Sequence, residues 1–151
     1  MTGDVQLIGL DWGTSNLRAY LYDVQGSVVD TRQQGWGIRH LPEGGFPAAV
    51  RAMTSGWPPC VTLAAGMVGS RQGWLEVPYV EVPADTSAIA NSMRRVEAYT
   101  RQPVWIVPGL RQGKPADVMR GEETQIIGAL ARQGAHRKRT RFVLPGTHSK
   151  W

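Results

Sequence analysis

The stretch "IGLDWGTSNLRAYLYD" runs from Ile8 to Asp23. Its first residues complete "VQLIGL", a nearly continuous apolar run from Val5 to Leu10 that reads as a buried strand. Its second half, "LRAYLYD", alternates Leu17, Ala19 and Leu21 against Arg18, Tyr20 and Tyr22, which is strand period. Between them an acid, a glycine and two hydroxyls (Asp11, Gly13, Thr14, Ser15) sit where the chain reverses. Next, "DVQGS" (Asp23 to Ser27) reads as a hairpin turn with Gly26 free to take positive φ, and "VVDTR" returns as a third strand. The chain therefore opens as an antiparallel meander with a polar turn at its first reversal.

Beyond the meander the period changes. "PAAVRAM" (Pro47 to Met53) suits a short helix with proline in its first turn. "CVTLAAG" (Cys60 to Gly66) reads as a buried strand after Pro58-Pro59. Asp85 or Thr86 can cap a helix to about Arg101, with Ile89, Met93 and Val96 at helical spacing. "PVWIVPG" (Pro103 to Gly109) is another buried strand. "GEETQIIGALARQG" is a helix with acids in its first turn and Gly134 past its end, and "RFVLPG" (Arg141 to Gly146) starts one more strand. The expected fold is α/β: a mixed sheet that opens with three antiparallel strands and continues with alternating α and β.

The length, 151 residues with 42% hydrophobic, suits one globular domain with a buried core. No apolar run approaches the roughly 20 residues of a membrane helix, and the N-terminus does not resemble a signal peptide. Cys60 is the single cysteine, so no internal disulfide can form, and a cytoplasmic location is the simplest reading. Much of the net charge of +5 comes from "HRKRTR", His136 to Arg141. With no interleaved aromatic residue to stack on bases, that run reads as a solvated loop rather than a nucleic-acid contact.

The first turn suggests a chemistry. Backbone amides and hydroxyls at Gly13, Thr14 and Ser15 suit phosphate oxygens, with Gly13 allowing close approach. A carboxylate beside phosphate is repelled unless a cation lies between, so Asp11 fits a holder of Mg²⁺ through water. A plain β-turn is the alternative.

"LDWGTSNLRAYLYD" resembles the first phosphate motif of the sugar kinase, actin and Hsp70 superfamily. Four later segments narrow the resemblance: "AAGMVGSRQGWLEVPY" (Ala64 to Tyr79), "IVPGL" (Ile106 to Leu110), "VMRGEETQIIGAL" (Val118 to Leu130) and "LPGTHSKW" (Leu144 to Trp151). In that order they are similar to the 2-dehydro-3-deoxygalactonokinases. The resemblance implies ATP- and Mg²⁺-dependent phosphorylation of 2-dehydro-3-deoxy-D-galactonate at its 6-hydroxyl. It also implies a ribonuclease H-like, actin-like lobe at 1–140, with 141–151 opening a second lobe.

On this reading the Gly66-to-Arg71 loop, with Met67, Gly69 and Ser70, lines the sugar site. Arg71 suits the sugar-acid carboxylate and Trp74 the sugar's apolar face. Phosphoryl transfer to a hydroxyl needs a carboxylate to accept its proton, and Glu122 or Glu123 is nominated, with Arg120 beside them for substrate or phosphate. The plain alternative for both acids is a favourable helix dipole. Gly146, Thr147 and Lys150 suit a second phosphate turn, with His148 a donor to substrate. No Cys/His cluster of metal-ligand spacing exists, and the partners expected are the sugar acid and ATP, without nucleic acid or membrane.

Two other readings stay open here. One is a ribonuclease H-like nuclease using metals on Asp11 and Glu122, although the strand at Val61 to Ala65 ends without a carboxylate. The other is a non-catalytic lobe that binds a partner. Because the kinase lobes of the superfamily come in pairs and the β-β-β-α-β-α-β-α order occurs here once, the chain alone is expected to fold as a first lobe, frayed after about Arg137. It would bind Mg²⁺-ATP weakly, show no kinase activity alone, and self-associate through an exposed apolar face.

Overall fold

The computed structural model describes residues 4–98, 100–133, 140–145 and 149–150. Strands β1 (Val5–Trp12), β2 (Leu17–Asp23) and β3 (Val28–Gln34) form the expected antiparallel meander. Alternation decides its two faces: Ile8, Leu10, Trp12, Leu17, Ala19 and Leu21 are buried on one side, and Leu7, Gly9, Asp11, Arg18 and Tyr20 lie on the other. The hairpin after β2 is held by Asp23, whose Oδ1 accepts from the amides of Gln25 (2.9 Å) and Ser27 (2.8 Å).

Helix α1 (Gly45–Met53) covers the buried face with Ala49, Val50 and Met53, and Pro47 stands in its first turn as expected. The chain returns as β4 (Val61–Gly66), parallel to β1 with Trp12 opposite Gly66. After a 3-10 turn at Met67–Gly69 come β5 (Val80–Glu81), α2 (Thr86–Asn91), β6 (Arg94–Val96) and β7 (Val104–Ile106). Strand β7 lies parallel to β4, and β6 pairs antiparallel with β7, giving a six-stranded mixed sheet in the order β3-β2-β1-β4-β7-β6. Strands β8 (Leu110–Gln112) and β9 (Asp117–Met119) join β5 in a small second sheet, and α3 (Glu122–Gln133) follows.

Two expectations need correction, and one element is new. The helix expected from Asp85 to about Arg101 is α2, six residues long, begun by Asp85 Oδ1 on the amide of Ala88 at 2.8 Å. Beyond it Arg94 to Val96 fills the otherwise unpaired edge of β7, and that backbone pairing outweighs the helical spacing of Met93 and Val96. The strand expected from Arg141 is, among the described residues, a single bridge between Leu144 and Lys150. The small β5-β8-β9 sheet was not foreseen, because strands of two and three residues carry no readable period. Most of the basic run, residues 136–139, lies outside the described residues.

Candidate active site

The parallel strands β1, β4 and β7 end side by side, and in α/β sheets ligands gather at such carboxyl ends. Asp11 belongs to β1 rather than to the turn, opposite Arg18 on β2. Its Oδ2 lies 3.3 Å from Arg18 Nη1, and both side chains are 44% exposed. The turn proper is closed by the amide of Gly13 donating to the Asn16 carbonyl at 2.9 Å. It is braced from outside: Ile38 and Arg39 donate to the carbonyls of Gly13 (3.1 Å) and Thr14 (3.3 Å), and Trp12 Nε1 donates to Trp36 O at 2.8 Å. A β-carbon on Gly37 would come within 2.1 Å of Thr14 O, so only glycine lets this brace seat. The polar turn is thereby held by hydrogen bonds from the rest of the fold.

The carboxyl end of β4 and the start of α3 meet the end of β1 through glycines. Gly66 (φ +101) lies so close that a β-carbon would stand 2.7 Å from Trp12 O, and one on Gly121 (φ +111) would stand 3.3 Å from Gly66 Cα. Around this stack opens a cleft of about 250 Å³, lined by Asp11, Gly13, Gly66, Met67, Arg120, Gly121, Glu122, Gln125, Leu144 and Pro145. A neighbouring groove of about 240 Å³ shares Asp11, Gly121 and Gln125 with it and runs over Gly9, Tyr20 and Leu63 on the open sheet face. A larger cavity of about 490 Å³ lies toward the opposite, amino ends of β4 and β7, near Trp57, Cys60 and Arg101, away from the nominated residues.

Several nominated residues thus come together: Asp11, Gly13, Met67, Arg120 and Glu122. The two glutamates separate. Glu122 lines the cleft with its Oε2 accepting from the Arg120 amide at 2.9 Å. Glu123 is 1% exposed, and both its oxygens accept from the amide of Gly121, at 3.0 and 2.8 Å. Burial pushes the Glu123 carboxyl up to about 7, outweighing those bonds and the nearby Arg120 charge, while Glu122 pushes it further up. The Arg120 guanidinium sits 4.2 Å over the Tyr79 ring and donates from Nη2 to Val77 O at 2.9 Å. Its Nε and Nη1 are buried without a hydrogen-bond partner, beside Gly69, where a β-carbon would lie 3.0 Å from Nη1.

The remaining nominated residues stand elsewhere. Ser70 Oγ donates to Met67 O at 2.7 Å and so closes its own turn, while Arg71 is exposed. Trp74 stacks on Phe46 (5.5 Å, 11°) and meets Trp12 edge-on (6.3 Å), partly buried against the core. Lys150 is paired with Asp117 at the small sheet. Thr14 is half-buried and Ser15 exposed at the turn. Gly146, Thr147 and His148 lie outside the described residues. Sequence reasoning missed Gln125; its signal was its place on α3, three residues after Glu122 and thus on the same helix face. Among the described residues no group of three or more His, Cys, Asp or Glu gathers to hold a metal.

Comparison with known proteins places this geometry in a family. The family model described as 2-keto-3-deoxy-galactonokinase matches residues 11–151. A 2-dehydro-3-deoxygalactonokinase of Escherichia coli (strain K12) is 43% identical over 150 residues, 95% of this chain and 48% of the relative. A protein of Rhizobium meliloti (strain 1021), given the same name provisionally, is 37% identical over 147 residues, 94% of this chain and 47% of the relative. A solved Sinorhizobium meliloti structure, provisionally a 2-dehydro-3-deoxygalactonokinase, superimposes with a TM-score of 0.81 at 36% identity, over 96% of this chain and 49% of that one. The chain spans about half the length of the curated relatives it matches. On the match over residues 11–151, the chain belongs to the 2-keto-3-deoxy-galactonokinase family.

Proposed function

We propose that the protein transfers a phosphoryl group from ATP to the 6-hydroxyl of 2-dehydro-3-deoxy-D-galactonate, a step of sugar-acid catabolism carried out in the cytoplasm. In this reading residues 1–140 are a ribonuclease H-like, actin-like lobe, and 141–151 open the second lobe. The supporting observation is one cleft, lined by Asp11, Gly13, Arg120 and Glu122, at the carboxyl ends of parallel strands in a member of this family.

Mg²⁺ fits the site as an ion held mainly by water and phosphate oxygens. Asp11 is a single, half-exposed carboxylate at the mouth of the cleft, the donor set such an ion needs from protein. When bound, the ion supplies charge neutralisation on the phosphates. The braced turn at Gly13, Thr14 and Ser15 receives phosphate oxygens, and Glu122, the glutamate open to the cleft, accepts the proton of the sugar hydroxyl. Arg71, exposed after the Met67–Gly69 turn, takes the sugar-acid carboxylate. Lys150 would reach phosphate only by leaving Asp117.

The test is a coupled ADP-release assay across a panel of 2-keto-3-deoxy sugar acids. It uses this chain fused to the half of the Escherichia coli relative that it does not match. ADP release with 2-dehydro-3-deoxy-D-galactonate supports the proposal; absence of release with every sugar acid contradicts it.

A further inference from the structure

Glu123 does not line the cleft, yet the residue is 1% exposed, with both carboxyl oxygens accepting from the amide of Gly121 and Oε1 also accepting from Thr124 Oγ1 at 3.5 Å. Carboxylates are rarely buried so completely unless they hold something in place. What this one holds is a corner. Gly121 takes φ +111, its Cα packs on Gly66, and Gly66 packs on the last carbonyl of β1. The same two-residue reach occurs one position earlier, where Glu122 accepts from the amide of Arg120 at 2.9 Å. Two successive amides before α3 are thus satisfied by the side chains two residues ahead, one facing the cleft and one sealed beneath it.

We propose that Glu123 is a positioning residue: by holding the Gly121 amide it seats the Arg120–Glu122 corner on Gly66 and so sets Glu122 and Arg120 at the cleft. Its role in turnover rests on the kinase reading; its role in the corner does not. The charged groups acting on it are Glu122 and Arg120.

The experiment follows the Gly121 amide in the ¹⁵N-labelled chain between pH 5 and 9. The expected result is a titration of that resonance with a midpoint near the Glu123 value of about 7, absent in Glu123→Gln. Glu123→Gln keeps the amide protected from exchange, because its side-chain carbonyl still accepts. In Glu123→Ala that amide exchanges at least ~10-fold faster, while Ala19 in β2 is unchanged. In the fused enzyme, Glu123→Ala lowers kcat by about 10-fold at unchanged KM, and Glu123→Gln restores most of it. A Gly121 amide resonance that is unmoved in Glu123→Gln, or an amide that exchanges no faster in Glu123→Ala, overturns the proposal, and the glutamine arm decides even if the alanine variant does not fold. Absence of turnover in the unsubstituted enzyme would count against the kinase reading alone.

Discussion

The α-carbon of Gly66 stands 3.3 Å from where a β-carbon on Gly121 would be, and both glycines hold positive φ, +101 and +111. The ends of β4 and α3 therefore touch backbone to backbone, and the cleft has no slack at this point. An alanine at Gly121 brings a strained φ together with a tight contact, so Gly121→Ala should cost about 1–3 kcal/mol. Gly66→Ala, whose methyl would meet Trp12 O at 2.7 Å, should cost at least as much. Urea unfolding midpoints check both; wild-type midpoints would show that the corner relaxes freely.

Glu123 makes stability depend on pH in a defined direction. Its carboxyl is raised from 4.5 to about 7 by burial, so between those values the folded chain holds a proton that the unfolded chain has released. Its contribution is therefore most favourable at low pH and is lost as pH rises through about 4.5 to 7, by at most on the order of 3 kcal/mol. The difference in unfolding free energy between Glu123→Gln and wild type should grow in favour of the glutamine between pH 5 and pH 8. A pH-independent difference would show that the buried carboxyl does not carry the proton.

Trp74 belongs to a cluster with Phe46 and Trp12, with ring separations of 5.5 and 6.3 Å. Trp74→Ala should cost about 3 kcal/mol, from lost burial and aromatic contact, and Trp74→Phe much less. A loss below about 1 kcal/mol accompanied by weaker sugar-acid binding would return this ring to the substrate-stacking role expected from sequence.

Glu122 and Glu123 should separate kinetically. In the fused enzyme Glu122→Gln should lower kcat by at least ~10²-fold with little change in KM, as for a group that acts on the moving proton. Near-normal kcat would place the proton acceptor outside this cleft.

The meander and the strands at β4 and β7 were legible because period two and short apolar runs survive whatever packs on them. The helix that stopped at Asn91 was not, because Ile89, Met93 and Val96 sit at helical spacing and only the open edge on β7, a tertiary feature, overrides it. Asp11, Gly13 and the Glu122–Glu123 pair were nominated from residue type, turn context and the family resemblance, and the structure brings Asp11, Gly13 and Glu122 to one cleft. Which glutamate faces the cleft was not readable, since adjacent helix positions differ only in what the tertiary fold lays over them. Trp74's packing was not readable for the same reason: an aromatic after a glycine-rich loop looks alike whether or not a ring such as Phe46 lies against it.

Whether the cleft beginning at Asp11 takes Mg²⁺-ATP is read by calorimetric titration of Mg²⁺-ATP into this chain and into Asp11→Asn. The Asp11–Arg18 pair is exposed and contributes only about 0–1 kcal/mol, so the variant should unfold at nearly the wild-type midpoint. Wild type should bind weakly in a Mg²⁺-dependent manner, and Asp11→Asn should weaken binding by at least ~10-fold and lose most of that dependence. Equal affinity and equal Mg²⁺ dependence in the two chains would contradict the account.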